Sequence, residues 1–279
     1  MQANRPASYN EGVQPPTSGQ PPMSVNRVHT ARALDEPVCI HLDEAIDIVE
    51  HGEMDDEVGL MRWGSNYTFL VNIVRADIRV MAIYKPRKGE RPLWDFPDGT
   101  LCNRETAAYL TSKALGWGLV PPTFLRAGTR GVGSVQLFID HDPEEHYYTF
   151  DKLRLSRQLE RMAIFDAIAN NADRKGGHCL VDEDQHLWGI DHGLTFNASE
   201  KLRTVIWDYA GMPIPSAILA DLERFCGRLA DDRDDYTRDM RDLLSGIELR
   251  MLRLRVERLL ADGLFPLPGP GPNRPWPAV

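Results

Sequence analysis

The hydrophobic pattern of this chain changes period part-way along its length, and that change restricts the kind of fold it can adopt. Up to Lys85 apolar residues fall in strand-like runs: V-G-L-M-R-W, Y-T-F-L-V-N-I-V and I-R-V-M-A-I-Y-K. The turn signals G-S-N and R-A-D separate them, so the runs suit an antiparallel meander. The segment R-E-T-A-A-Y-L-T-S-K-A-L, from Arg104, has helical period and stops at Gly116. S-V-Q-L-F-I, from Ser134 to Ile139, is a further strand. Beyond Leu153 the period becomes helical, running through L-S-R-Q-L-E-R-M-A-I-F-D-A-I-A into a loop at Asp173. Further helices are expected at 216–229 and at about 235–261. The reading is an α+β chain of two lobes, β-rich first and mostly helical second, with a cleft between them.

The chain's 279 residues, 42% of them hydrophobic, suffice for one large domain or two lobes. Residues 1–36 are rich in Pro, Gln, Ser and Asn and poor in large apolar side chains, so they are expected to be disordered. Residues 37–139 would form the first lobe and its linker, 140–263 the helical lobe, and 264–279 a Pro/Gly-rich tail on which Trp276 could dock. A net charge of −9 argues against binding nucleic acid through bulk charge. Cys39, Cys102, Cys179 and Cys226 lie far apart, without zinc-ligand spacing, and read as reduced, intracellular packing residues. No apolar run reaches membrane-spanning length, and no cluster argues for contact with a membrane surface. A cytoplasmic protein is expected.

The chemistry-bearing residues form an ordered series. Lys85 ends a hydrophobic strand, where its ammonium can meet nucleotide phosphates, and Pro86 stops the ladder after it. Glu105, in the first turn of the next helix, is an acidic partner for Lys85. Gly64, Ser65 and Asn66 form a turn whose backbone N–H groups and hydroxyl could cover phosphates. Gln136, Leu137, Phe138 and Ile139 would connect the lobes and lend backbone groups to an adenine ring. Asp173 then meets Arg174 in a loop, and a short hairpin later Asp191 stands in I-D-H-G. Two carboxylates at the ends of a hairpin, one for a hydroxyl and one for a metal, suit phosphoryl transfer from ATP. The run W-D-F-P-D-G between the lysine strand and the glutamate helix reads as a packed loop. No G-x-S-x-G, H-E-x-x-H or G-x-x-x-x-G-K is present, which leaves elbow hydrolases, zincins and P-loop proteins without support.

Y-K-P around Lys85, R-E-T-A-A-Y-L around Glu105, N-A-D-R around Asp173 and I-D-H-G-L-T-F around Asp191 resemble the phosphatidylinositol 3-/4-kinase-related branch of the protein-kinase-like fold. The likeness is nearest to type II phosphatidylinositol 4-kinases and to an actinobacterial family related to them. It implies that Lys85 binds the α/β-phosphates, Glu105 positions Lys85, Asp173 is the catalytic aspartate with Arg174 supporting its loop, and Asp191 holds Mg²⁺ or Mn²⁺. His178 stands where such kinases carry a metal-binding asparagine. Imidazole suits Mn²⁺ better than Mg²⁺, so His178 is expected to shift metal preference or leave a single-metal site. The acceptor would be a protein or a soluble small-molecule hydroxyl. Two other readings stay open: a nucleotide-binding pseudokinase scaffold, and an AMP-transferring enzyme.

Overall fold

A computed structural model describes residues 27–33, 36–61 and 67–279. The first lobe is one antiparallel sheet with a helix on it. Its strands are β1 (Arg27–Ala33), β2 (Glu36–His41), β3 (Glu53–Met61), β4 (Thr68–Arg75), β5 (Ile78–Pro86), β6 (Thr123–Gly128) and β7 (Gly131–Leu137). The order is β2-β1-β5-β4-β3, with β7 joining β5 and carrying β6 on its other side. β5 is therefore central. β4 flanks one side along its length, while β1 pairs with its start and β7 with its end.

Strand periodicity explains where Lys85 goes. Val80, Ala82 and Tyr84 are completely buried in the sheet core with Val71 and Ile73 of β4, whereas alternate residues of β5 are only partly buried. Lys85 shares the second face, because successive side chains point to opposite sides. Gly133 of β7 lies opposite Pro86, and a Cβ there would fall 2.4 Å from the Lys85 carbonyl oxygen. Only glycine lets β7 approach so closely at the lysine.

The helical lobe contains α3 (Ser156–Ala169), the hairpin β8 (Cys179–Val181) and β9 (Leu187–Gly189), α4 (Ser216–Ala230), α5 (Asp235–Leu243) and α6 (Gly246–Asp262). The first lobe's helix is α1 (Leu42–His51), and α2 (Leu101–Leu115) lies between sheet and helices. α2 ends where expected, with Gly116 left-handed at φ 69°. It is buried nearly all round. Its apolar residues Ala107, Ala108, Tyr109 and Leu115 join the core of the helical lobe rather than that of the sheet. Glu105 thus rides on an element packed with the helical body, although sequence placed it in the first lobe.

Several expectations are corrected. Arg27–Ala33, assigned to a disordered tail, is an ordered strand: Val28 and Ala31 reach the sheet core, and β5 offers its open edge to Arg32 and Ala33. The expected helix over 235–261 is two helices, because Ser245 opens α6 with a capping box in which Glu248 answers the Ser245 backbone. β7 ends at Leu137, so Phe138 and Ile139 lie beyond it. α1 and β6 had no counterpart in the sequence reading. The segment 264–279 packs on the helical lobe through Phe265, while Trp276 is 93% exposed and does not dock. The turn at Gly64, Ser65 and Asn66 lies outside the described residues.

Candidate active site

Three elements converge on Lys85. Its Nζ stands 2.5 Å from Glu105 Oε1 of α2 and 3.0 Å from Asp191 Oδ1, in the loop after β9. Glu105 is deeply buried, and its other oxygen accepts the His192 N–H at 2.9 Å. One carboxylate thus holds both the strand lysine and the loop that carries Asp191. Asp191 has a left-handed backbone, φ 58°, and a half-exposed side chain. Burial would strip the Lys85 proton, but Asp191 and then Glu105 outweigh it and keep the ammonium charged. Lys85 in turn holds the Asp191 carboxyl well below the usual carboxylate range, while burial pushes Glu105 up.

Asp173 is reached through His178. The His178 Nδ1 lies 3.0 Å from the Asp173 carbonyl oxygen, and Nε2 lies 3.4 Å from Asp191 Oδ2. The first contact requires the proton on Nδ1, which leaves the Nε2 lone pair facing Asp191. Lys175 Nζ pairs with Asp173 Oδ2 at 3.2 Å. Burial raises the Asp173 carboxyl, and Lys175 opposes that shift. The Asp173 N–H donates to Asn171 Oδ1, an Asx turn that fixes the loop.

Beneath these groups lies a buried knot that sequence reasoning did not find. The Arg174 guanidinium has no exposed side-chain surface. It bonds both Asp166 oxygens, the carbonyls of His178 and Ile190, and His192 Nε2 at 2.6 Å. Arg174 therefore cannot touch a substrate; it sits beneath the Asp173 loop, with its side chain turned inward. It ties α3, the aspartate loop, both ends of the hairpin and the Asp191 loop to one cation. Asp166 was visible in the sequence as a lone acid within the apolar helix run M-A-I-F-D-A-I-A, a pattern that demands a buried partner. Thr204 completes the knot with a hydroxyl on Asp166.

The linker is less open than expected. Gln136 is buried, with its amide on Thr123 Oγ1. The Leu137 N–H donates to Pro122 and the Phe138 N–H to Met81. Ile139, the last of the four residues expected to face adenine, has its carbonyl on the His141 Nδ1 at 2.8 Å.

A divalent cation fits this site only together with phosphate. Among the described residues no three His, Cys, Asp or Glu side chains form a ready metal cage. Asp191 and the His178 Nε2 could supply two ligands, which is how Mg²⁺-type sites with one or two protein ligands and substrate oxygens are built.

Histidine burial gives the molecule a defined acid sensitivity. Burial, aided by Arg174, Lys175 and Lys85, pushes the His178 imidazole down to about 4 against the pull of Asp191. Burial also lowers His186 and His192. These rings are neutral in the fold, so the unfolded chain takes up protons first as pH falls below about 6.5. The His178 contribution to stability is complete above that pH and is lost on descent towards about 4. The His178 share is about 2 kcal/mol at about pH 5. His178→Asn should therefore flatten the fall in thermal midpoint between about pH 7 and pH 5 by about 5 °C, read by calorimetry.

A strand lysine held by a helix glutamate, and paired carboxylates at a hairpin below it, define a kinase-like protein. The sequence profile of the family described as phosphatidylinositol 3- and 4-kinase matches residues 40–218. Protein Rv2133c of Mycobacterium tuberculosis (strain ATCC 25618 / H37Rv) is 37% identical over 272 residues, spanning 85% of this chain and 96% of that protein. The chain belongs to the phosphatidylinositol 3- and 4-kinase family. Among solved structures, the Helicobacter pylori proinflammatory kinase CtkA covers 77% of this chain and 94% of its own at 12% identity, with a TM-score of 0.47. Among the described residues no helix is long and apolar enough to cross a membrane.

Proposed function

We propose that this protein transfers the γ-phosphate of ATP to a hydroxyl of a protein or a soluble small molecule. The observation that carries the reading is the Lys85 ammonium held between Glu105 and Asp191 at the cleft. A charged lysine fixed by a buried carboxylate is an electrostatic device for phosphate, and phosphoryl transfer depends mostly on such devices and on positioning. When ATP enters, Lys85 keeps Glu105 and exchanges its Asp191 contact for α/β-phosphate oxygens. Asp191 and the His178 Nε2 would hold Mg²⁺ or Mn²⁺, which would supply charge neutralisation at the phosphates. Asp173 accepts a hydrogen bond from the acceptor hydroxyl and aims it at the γ-phosphorus. Lys175, already on Asp173, faces the charge that moves during transfer. Ile139 and the linker beyond it offer backbone groups to the adenine.

His178 makes the metal preference the sharpest test. Thermal shift with ATP and either Mg²⁺ or Mn²⁺ should show a larger rise with Mn²⁺ for the wild type. A hundredfold excess of ligand over its dissociation constant adds about 2.7 kcal/mol, or about 5–10 °C here. His178→Asn should reverse the preference toward Mg²⁺. No rise with either metal in either protein would sink the kinase reading. A rise without any transfer would instead favour a nucleotide-binding scaffold.

A further inference from the structure

The segment 264–279 crosses the helical lobe beside the Asp173 loop, touches it directly at one point and braces its other side through residues 203–205. On one side the Gly176 N–H, three residues after Asp173, donates to the Ala278 carbonyl at 2.7 Å. Gly176 also accepts from the Tyr147 N–H, and a Cβ at this position would lie 2.9 Å from the Tyr148 ring and 3.4 Å from the Ala278 oxygen. A side chain there would have to push the partly exposed Tyr148 ring aside. On the other side the loop pairs with 203–205: Arg174 N–H to the Arg203 carbonyl, and Val205 N–H to the Arg174 carbonyl. That neighbour is itself held by Asn273, whose carbonyl accepts both the Thr204 N–H at 3.1 Å and the Trp207 indole N–H at 3.0 Å.

Between its two anchors the segment buries Pro275, and Ala278 packs against the helical core. Upstream, Phe265 is buried and stacks on Tyr209. The segment carries six prolines, so it is stiff before it docks and loses little conformational entropy on doing so.

We infer that residues 273–278 are a positioning strap for the catalytic loop: the Ala278 and Asn273 carbonyls hold Gly176 and the 203–205 segment in place, and so fix Asp173 relative to the transferring phosphate. The strap touches no nucleotide-binding group, so its effect falls on the rate of transfer and not on ATP binding. The inference rests on the assignment of Asp173 as the group that aims the acceptor.

The test compares the full chain with a variant ending at Pro272, which keeps Phe265 and its stacking partner, and with Trp207→Phe, which removes one donor to Asn273. Three readouts are taken: amide exchange at Gly176, steady-state ATP turnover, and the ATP-induced thermal shift. For the shortened variant, Gly176 exchange should accelerate by about tenfold or more. Turnover number should fall about ten- to hundredfold with KM for ATP changed less than about twofold. A synthetic peptide of residues 273–279, the part removed, should restore turnover saturably, and Trp207→Phe should show a smaller change of the same kind. Unchanged Gly176 exchange in the shortened variant would overturn the strap whether or not the protein has activity. Unchanged turnover number in an active protein would overturn its positioning role. A full chain that transfers no phosphate while Gly176 loses protection on shortening would instead refute the kinase reading and leave the contact standing.

Discussion

Replacing Arg174 with alanine is expected to cost about 3–5 kcal/mol of folding stability, because it leaves the Asp166 carboxylate buried with its cation gone. The pair has no exposed side-chain surface on either partner, so water cannot take over. Asp166 would keep only the Asn171 amide and the Thr204 hydroxyl. The His178 and Ile190 carbonyls and the His192 ring would each lose a donor as well. In a domain of this size the thermal midpoint should drop by about 10 °C or more, measured by calorimetry. Lysine is no substitute, since one ammonium cannot replace a planar fork that bonds three chain segments at once. A fall of less than about 1 kcal/mol would mean that the knot is not a structural centre.

Asp191→Asn should behave in the opposite way, sparing the fold while removing activity. The side chain is half exposed, and its bond to Lys85 is screened and partly replaced by the amide. Lys85 keeps Glu105 as its partner, so the lysine strand stays in register. The midpoint should move by only a few °C. Rate is different. Removing one preorganised charge at a transferring phosphate typically costs about 10²–10³ in turnover, and here the same change removes a metal ligand. Steady-state ATP turnover with Mn²⁺ should therefore fall at least about a hundredfold, and the metal-dependent thermal shift should vanish. Wild-type turnover in Asp191→Asn would remove this carboxylate from the site.

The contrast between these two variants tracks what a sequence can reveal. Lys85, Glu105 and Asp191 were legible because each ends or opens an element whose period is plain, and the structure does bring the three together. Period two accounts for the faces of β5, since the alternation of Val80, Ala82 and Tyr84 leaves Lys85 on the other face. Arg174 was expected to support the Asp173 loop, but its partners were not legible. Only the fold shows that its side chain turns inward to an acid eight positions earlier on α3. Pairings of that kind depend on tertiary packing, which local pattern does not encode.

Other misses share this origin. β1 lies in a stretch too polar to bury much surface alone, and it is ordered by the free edge of β5. The division between α5 and α6 carried a readable signal, the spacing of Ser245 and Glu248, but the helical period on either side masks the break. The strap at 273–278 has the composition of a disordered tail. It docks because the Thr204, Trp207 and Gly176 N–H groups are presented to it, and those donors come from distant parts of the chain.

The central claim, transfer of the terminal phosphate, is tested most directly by supplying ATP labelled at either the γ- or the α-phosphate, with Mn²⁺ or Mg²⁺. Label is then followed into protein, phosphate and soluble products, with the wild type compared to Asp173→Ala. The account predicts movement of the γ-label alone, lost in Asp173→Ala while ATP binding persists. Incorporation of the α-label would assign AMP transfer to the site, and ATP binding with no movement of either label would contradict catalysis altogether.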